Sequence, residues 1–394
     1  LGAMHARGEA HVTARGLSAQ LAVDGVLDGL IGGVTGRLSG DLSLTPEQLQ
    51  LDAQIANGRA GDLYARTATL RASGPLHALA ATFDMHGRLN QAPLTFAGTA
   101  SVNTRESRAH IDGRGELAGA SLFTRAPIAV DWSGGSFDAS VNVAIDDGVV
   151  MAQWRDRRRA LSGSAQIEDA PLAPLAAIWG ERATGRIDGA VTLANQGGGL
   201  AGEANLAFQA ARFAGRQRGT LDMQLNAALT TTRLTATVDA RSSDGMVARL
   251  QADAPVVTDA TPVRIALAPE RRGRATWTVR GPAATLWAAA RLPDQSLDGA
   301  LDGEGELQFG AGHLSGAGHI EIANGRFEDK LTGIVLSALD ARVDFGADGV
   351  QIARFTATAP GGGRLTASGG SANPREGRIQ VSLDNVRVAD RPEA

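Results

Sequence analysis

His319-Ile320-Glu321-Ile322-Ala323 and, further on, Leu339-Asp340-Ala341-Arg342-Val343-Asp344-Phe345 decide how the rest of the chain is read. In both, apolar and charged residues alternate with period 2, the period at which successive side chains of an extended strand point to opposite faces. Ile320, Ile322, Leu339, Val343 and Phe345 therefore share one face, and Glu321, Asp340, Arg342 and Asp344 share the other. The apolar face continues through Val350 and Ile352 and, after a one-residue shift, Phe355. Leu365 follows, then Ile379, Val381 and Leu383. Residues 314–383 thus read as five consecutive amphipathic strands, oily on one side and wet on the other.

The same alternation runs back to the start of the chain. Leu17, Ala19, Leu21 and Val23 form one stripe, Leu38, Leu42 and Leu44 the next, and Leu49, Leu51, Ala53 and Ile55 a third. Continued to the end, the pattern predicts on the order of twenty strands. Asp147-Gly148, Asp244-Gly245 and Asp348-Gly349 each lie between two alternating runs, where glycine supplies the positive φ of a tight hairpin turn, so the sheet is expected to be an antiparallel meander. A parallel β-helix would show repeats of roughly 20 residues, and none is found. Two segments break the alternation with an early Pro followed by Ala, Leu and Trp: Pro171 to Trp179 and Pro282 to Ala290, which suit short helices with Pro in the first turn. Val26 to Ile31 is a third helix candidate.

The helices punctuate an internal repeat. Ile187-Asp188-Gly189-Ala190 resembles Leu297-Asp298-Gly299-Ala300, Ala211-Arg212-Phe213 resembles Gly325-Arg326-Phe327, and Ile55-Ala56-Asn57-Gly58-Arg59 echoes Ile322-Ala323-Asn324-Gly325-Arg326. Units of roughly 110 residues stacked edge to edge follow, a quasi-one-dimensional architecture. The expected divisions are 1–165, then 166–281 and 282–394, the latter two each opening with a short helix.

The 394 residues include 50 Gly and only 4% aromatics, little bulky filler for a compact core, and carry a net charge of -4. No cationic excess recruits nucleic acid or anionic headgroups, so any membrane link must be hydrophobic or partner-mediated. The absence of Cys excludes a disulfide framework and thiolate metal sites. There is no run of 18 apolar residues, and Leu1-Gly2-Ala3-Met4-His5 has no signal-peptide pattern, so the chain is expected to be a segment of something longer.

Nothing in the sequence reads as a catalytic or metal centre. His313 and His319 sit in an alternating strand pattern without ligand geometry. Gly303-Glu304-Gly305 and Gly316-Ala317-Gly318 lack the third glycine and helix of a phosphate-binding fingerprint, and are read as places of weak sheet packing or close backbone approach. Asp146-Asp147 and Glu328-Asp329 sit at turns, where solvated carboxylates are ordinary. Arg155, Arg157, Arg158 and Arg159 form the only basic run, read as a solvated loop, with an acidic headgroup or partner as the functional alternative. No enzyme activity, cofactor or metal is expected.

At one set of residues a family resemblance emerges. Gly318 to Asp329, Gly333 to Ala341 and Phe355-Thr356-Ala357-Thr358-Ala359-Pro360-Gly361-Gly362-Gly363-Arg364-Leu365-Thr366-Ala367-Ser368-Gly369 resemble the TamB family, the inner-membrane-anchored AsmA-like proteins of diderm bacteria. The texture extends over about residues 165 to 390, and Leu172-Ala173-Pro174-Leu175 before Gly185-Arg186-Ile187-Asp188-Gly189 shares it. The resemblance implies an all-β fold, a long curled antiparallel β-sheet forming an open hydrophobic groove, with a few short helices. It also implies a periplasmic location and carriage of phospholipid between inner and outer membrane. The outer-membrane barrel TamA would be the partner, with a role in outer-membrane protein assembly. The apolar residues from Ile320 to Leu383 named above are then the expected groove lining for phospholipid acyl chains. The family's membrane helix and TamA-contacting region have no identified counterpart here. The alternative is a structural or adhesin-like stack of β-sandwich modules binding glycan or protein, because a sandwich core alternates in the same way.

Overall fold

The computed structural model describes residues 4–13, 16–28, 34–75, 77–157, 160–213, 219–260, 263–268, 270–289, 294–310, 313–347, 349–373 and 376–386. They divide into two compact units, Leu1–Asn195 and Gln196–Ala394.

The first unit opens with β1 (Met4–Thr13), β2 (Gly16–Val26), β3 (Val34–Leu44), β4 (Leu49–Ala60) and β5 (Leu63–Gly74). It continues with β6 (Ala78–Leu89), β7 (Ala92–Asn103), β8 (Arg108–Leu117), β9 (Ala120–Asp131) and β10 (Ser136–Ile145). β11 (Gly148–Arg157), β12 (Ala160–Pro171), helix α1 (Leu172–Ile178) and β13 (Ala183–Gln196) complete it. Each strand pairs antiparallel with the one before it in sequence, as the turn chemistry predicts.

The second unit starts with β14 (Gly199–Phe213), β15 (Leu221–Leu229), β16 (Arg233–Ser242), β17 (Val247–Ala260) and β18 (Val263–Leu267). β19 (Gly273–Pro282), helix α2 (Ala283–Ala289), β20 (Gln295–Gly310) and β21 (His313–Asp329) follow. β22 (Ile334–Gly346), β23 (Gly349–Thr358), β24 (Arg364–Asn373) and β25 (Glu376–Asp384) end it. The meander has one side branch. The first half of β17 pairs with β19, whereas its second half pairs with the short β18.

Local chemistry explains these elements. Asp146 and Asp147 alone connect β10 to β11, and there Asp146 at φ 53, not the expected Gly148, takes the positive φ, Gly148 being the first residue of β11; Gly245 does turn β16 into β17 at φ 96. Gly346 pairs with Gly349 across the β22–β23 turn, and Asp348 between them lies outside the described residues. Both Pro-led segments are helices, α1 and α2. The third candidate is not helical where it is described: Val26 is paired with Arg37 as the last residue of β2, the Leu27 N–H bonds the Gly36 carbonyl, and residues 29–31 lie outside the described residues.

The sequence repeat is a repeated bend. At Asn57-Gly58 and again at Asn324-Gly325, two residues oppose a single glycine of the neighbouring strand, Gly36 and Gly299 respectively. The asparagines sit at φ 52 and 51, a left-handed conformation that Asn tolerates. A Cβ on either opposing glycine would lie 2.8 Å from the bulge glycine's Cα, so no side chain fits there. Further bulges centre on Asp169 and Ala210, also at positive φ. A carboxylate on the neighbouring strand accepts the N–H of the bulge residue at three of these sites: Asp188 for Asp169 (2.6 Å), Asp222 for Ala210 (2.8 Å) and Asp340 for Asn324 (3.1 Å). Bulges bend the strand that carries them and increase its twist, so each unit curls. In the first unit the curl is measurable. The Asn90 amide, in the β6–β7 turn, donates to the carbonyls of Ala177 and Ile178 at the end of α1 (3.0 and 3.1 Å), although a flat sheet would hold β7 and β12 about 24 Å apart.

Candidate functional site

Strand register decides which apolar side chains become neighbours. In the second unit one row runs Gly303, Ile320, Val343, Ile352, Gly369, Ile379 across β20 to β25, and a parallel row runs Leu301, Ile322, Ala341, Phe355. Phe345 faces Val350, Leu365 faces Leu383, and Val381 faces Ala367. The shift before Phe355 is real: Val343 pairs with Ile352 but Arg342 with Arg354, leaving Ala353 as the extra residue. Every apolar residue singled out between Ile320 and Leu383 therefore lies on one face.

That face has a filled end and an open end. Toward α2, Ala283, Leu297, Leu301, Leu336, Leu339 (4% exposed), Ala341, Ala357 and Ala359 form a buried cluster. Trp287 of α2 meets Phe327 edge-on, ring centroids 6.2 Å apart, and Ile320, Ile322, Phe355 and Leu365 pack against the cluster's border. Toward β25 the covering is lost: Val350 is 48% exposed, Ile379 63%, Val381 53% and Leu383 50%. Leu297, Leu301, Leu336, Phe327 and Trp287 were not foreseen as lining residues. The bulges at Asn324 and Ala338 shift the side-chain parity within β21 and β22, which hides Phe327 and Leu336 from a strict period of 2.

Between the two ends, glycines let aromatic rings lie flat. Trp277 on β19 stacks on Phe345 of β22 at 6.0 Å with the rings 6° from parallel, although β20 and β21 run between their strands. The rings reach each other because Gly305 and Gly318 lie beneath them. A Cβ at Gly305 would sit 2.9 Å from the Trp277 ring, and one at Gly318 the same distance from Phe345. This is the close approach expected of the Gly303 to Gly305 and Gly316 to Gly318 runs. In the first unit the ring of Phe96 covers Gly113 in the same way and lies 5.5 Å from Phe83. There the apolar face also forms long rows, for example Leu21, Leu42, Leu51, Ala72, Ala81, Ala100, Ile111 and Ile128 over β2 to β9.

The opposite face is laced with exposed ion pairs. Glu321 lies between Arg342 and Arg354, and Arg342 also bonds Asp344 (2.9 Å). Arg280 bonds Asp302 at 2.6 Å. Exposed pairs contribute about 0–1 kcal/mol each, so their main effect is to keep this face in water and fix the register.

The chemistry-bearing candidates serve turns and strand pairs. Asp146 accepts from the Ser121 N–H and hydroxyl (2.7 and 2.9 Å), and the Arg186 guanidinium beside Asp147 holds that carboxyl below its ordinary value. Partial burial pushes Asp329 up, but the N–H groups of Thr332 and Leu331 and the Gln295 amide outweigh it and hold the carboxyl low. Arg157 bonds Asp138, while Arg158 and Arg159 and the side chain of His313 lie outside the described residues. Among the described residues no group of His, Asp and Glu could hold a metal ion, and no helix is long and apolar enough to cross a membrane. Comparison with known protein families, characterised proteins and solved structures finds no match.

Proposed function

We propose that this chain is a segment of a lipid conduit of the cell envelope, in which phospholipid acyl chains lie on the apolar faces while headgroups stay in water. The observation that carries the reading is the open end of the second unit. Val350, Ile379, Val381 and Leu383 stay half exposed on the same face as a buried cluster, and contiguous exposed apolar surface of this kind marks a binding surface. Each methylene laid on it from water gains about 0.8 kcal/mol, enough to keep a long acyl chain from leaving into solution. Movement across one strand spacing, about 4.8 Å, exchanges one aliphatic contact for another, so a lipid slides without a deep trap. Phospholipid as cargo, the periplasm as location, TamA as partner and assistance to outer-membrane protein assembly rest on the TamB-family resemblance alone.

The test is photo-crosslinking from a diazirine side chain placed at Ile379 or at its neighbour Gln380 on the opposite face, with mass spectrometry of lipids extracted from the purified chain. Lipid adducts at Ile379 and none at Gln380 are expected. A lipid-free protein, or equal adducts at both positions, refutes the conduit and returns the sandwich-module reading.

A further inference from the structure

The polar face of the second unit is not uniform. Over β14 to β17 and β19 it is hollowed into a depression of about 960 Å³, within the size range of ligand sites. Its axis is a cross-strand ladder in unbroken register: Asn205, Asn226, Thr237, Gln251 and Thr276. The hollow arises because its floor carries short side chains, Ala228, Thr235, Thr237 and Thr276, while long ones rise at its sides. Those walls are tied in place. Arg233 donates two hydrogen bonds to Asp253 (2.6 and 2.9 Å), and Glu306 accepts from Arg274 (2.6 Å) and Gln308 (3.0 Å).

The centre of this patch differs from its rim and from the rest of the face, where neighbours are ionic, as at Arg233–Asp253, Arg280–Asp302 and around Glu321. Along the ladder the side chains are neutral amides and hydroxyls, and Asn205, Asn226, Thr237 and Thr276 make no side-chain hydrogen bond to protein among the described residues. The charges at the rim balance in number, Arg233, Arg272 and Arg274 against Glu203, Asp253 and Glu306, so the trough carries no net positive charge to draw an anionic ligand. Amides and hydroxyls both donate and accept, which is also the character of a sugar hydroxyl. We propose that this trough binds an uncharged glycan strand lying across the β-strands, its successive rings meeting polar side chains repeated at the strand spacing of about 4.8 Å. The site is on the face opposite the proposed acyl track and does not depend on it. Walls already fixed by their ion pairs lower the ordering cost of binding.

Isothermal titration with neutral hexasaccharides of glucose and of N-acetylglucosamine tests this on the whole chain. Binding of at least one is expected, unchanged between low salt and about 0.5 M salt because no ion pair forms with the ligand. The double variant Asn226→Ala, Thr237→Val is expected to weaken it about tenfold or more with an unaltered melting temperature. No heat with either oligosaccharide, binding that salt abolishes, or full affinity in the folded double variant overturns the proposal.

Discussion

Leu339 and Val381 lie on the same apolar face but in different surroundings, and truncating each separates packing from exposure. Leu339 is 4% exposed within the α2 cluster. Leu339→Ala removes three carbons, about 2.4 kcal/mol of transfer free energy at about 0.8 per carbon, and leaves a cavity, so the total loss is about 2–5 kcal/mol. Val381 is 53% exposed. Val381→Ala removes two carbons that are half in water already, a loss under about 1 kcal/mol. For a unit of this size 1 kcal/mol moves the midpoint by about 2–4 °C, so Leu339→Ala lowers the melting temperature by roughly 4–20 °C and Val381→Ala by a few degrees at most. Trp277 and Trp287 report on the second unit, and Trp287 touches the cluster through Phe327, so urea and thermal unfolding followed by tryptophan fluorescence read the difference. Equal losses for the two variants would refute the division into filled and open ends, because Val381 would then have to be packed as deeply as Leu339.

A charge at the open end, Val381→Arg, is expected to leave the melting temperature within a few degrees of the parent while reducing co-purified lipid, with Gln380→Arg as control; Glu321, held between Arg342 and Arg354, is unsuitable for that purpose. Gly305→Ala drives a methyl to 2.9 Å from the Trp277 ring and is expected to cost about 1–3 kcal/mol in urea titration, whereas Gly346→Ala, with nothing within 4 Å, is neutral. Asn324→Val forces a β-branched residue into φ 51 and is expected to destabilise by about 1–3 kcal/mol, and Asn324→Gly to be nearly silent in the same titration. Asp244 accepts from the Thr285 hydroxyl and so ties α2 to the β16–β17 turn. Partial burial pushes its carboxyl up, but the Ser242 and Thr285 hydroxyls and the Met246 N–H hold it below its ordinary value. A depressed carboxyl adds stability that is present above about pH 3.9 and lost as pH falls through the folded value, so acidification below about pH 4 should loosen α2, read as a Trp287 emission change that Thr285→Val no longer shows at that pH.

Alternation made the strands, their two faces and the antiparallel order legible, because a period of 2 combined with Asp-Gly turns has few other solutions. The Pro-led helices were equally plain. Depth along the apolar face was not: Leu339 and Val381 look alike in sequence, and only the cluster of strand and α2 side chains around one of them makes it core. The polar ladder from Asn205 to Thr276 was invisible for a related reason. Its members are 11 to 25 residues apart in sequence, and pairing register across strands brings them into line. The echo of Ile55 to Arg59 in Ile322 to Arg326 was legible as a repeat, but its meaning as a bend required the opposing glycines Gly36 and Gly299.

That bend carries a consequence for how the chain encodes shape. Ile320 and Ile322 occupy even positions and Phe327 an odd one, yet all share a face, because Asn324-Gly325 spends one residue more than its partner strand. Remove that residue and Phe327 falls into even parity: every side chain keeps its side of the sheet, and only the curvature goes. Polarity and curvature are thus separate inscriptions on this chain. The first is written in residue type and the second in residue count, so deleting the extra residue of a bulge flattens the apolar face without changing what lines it.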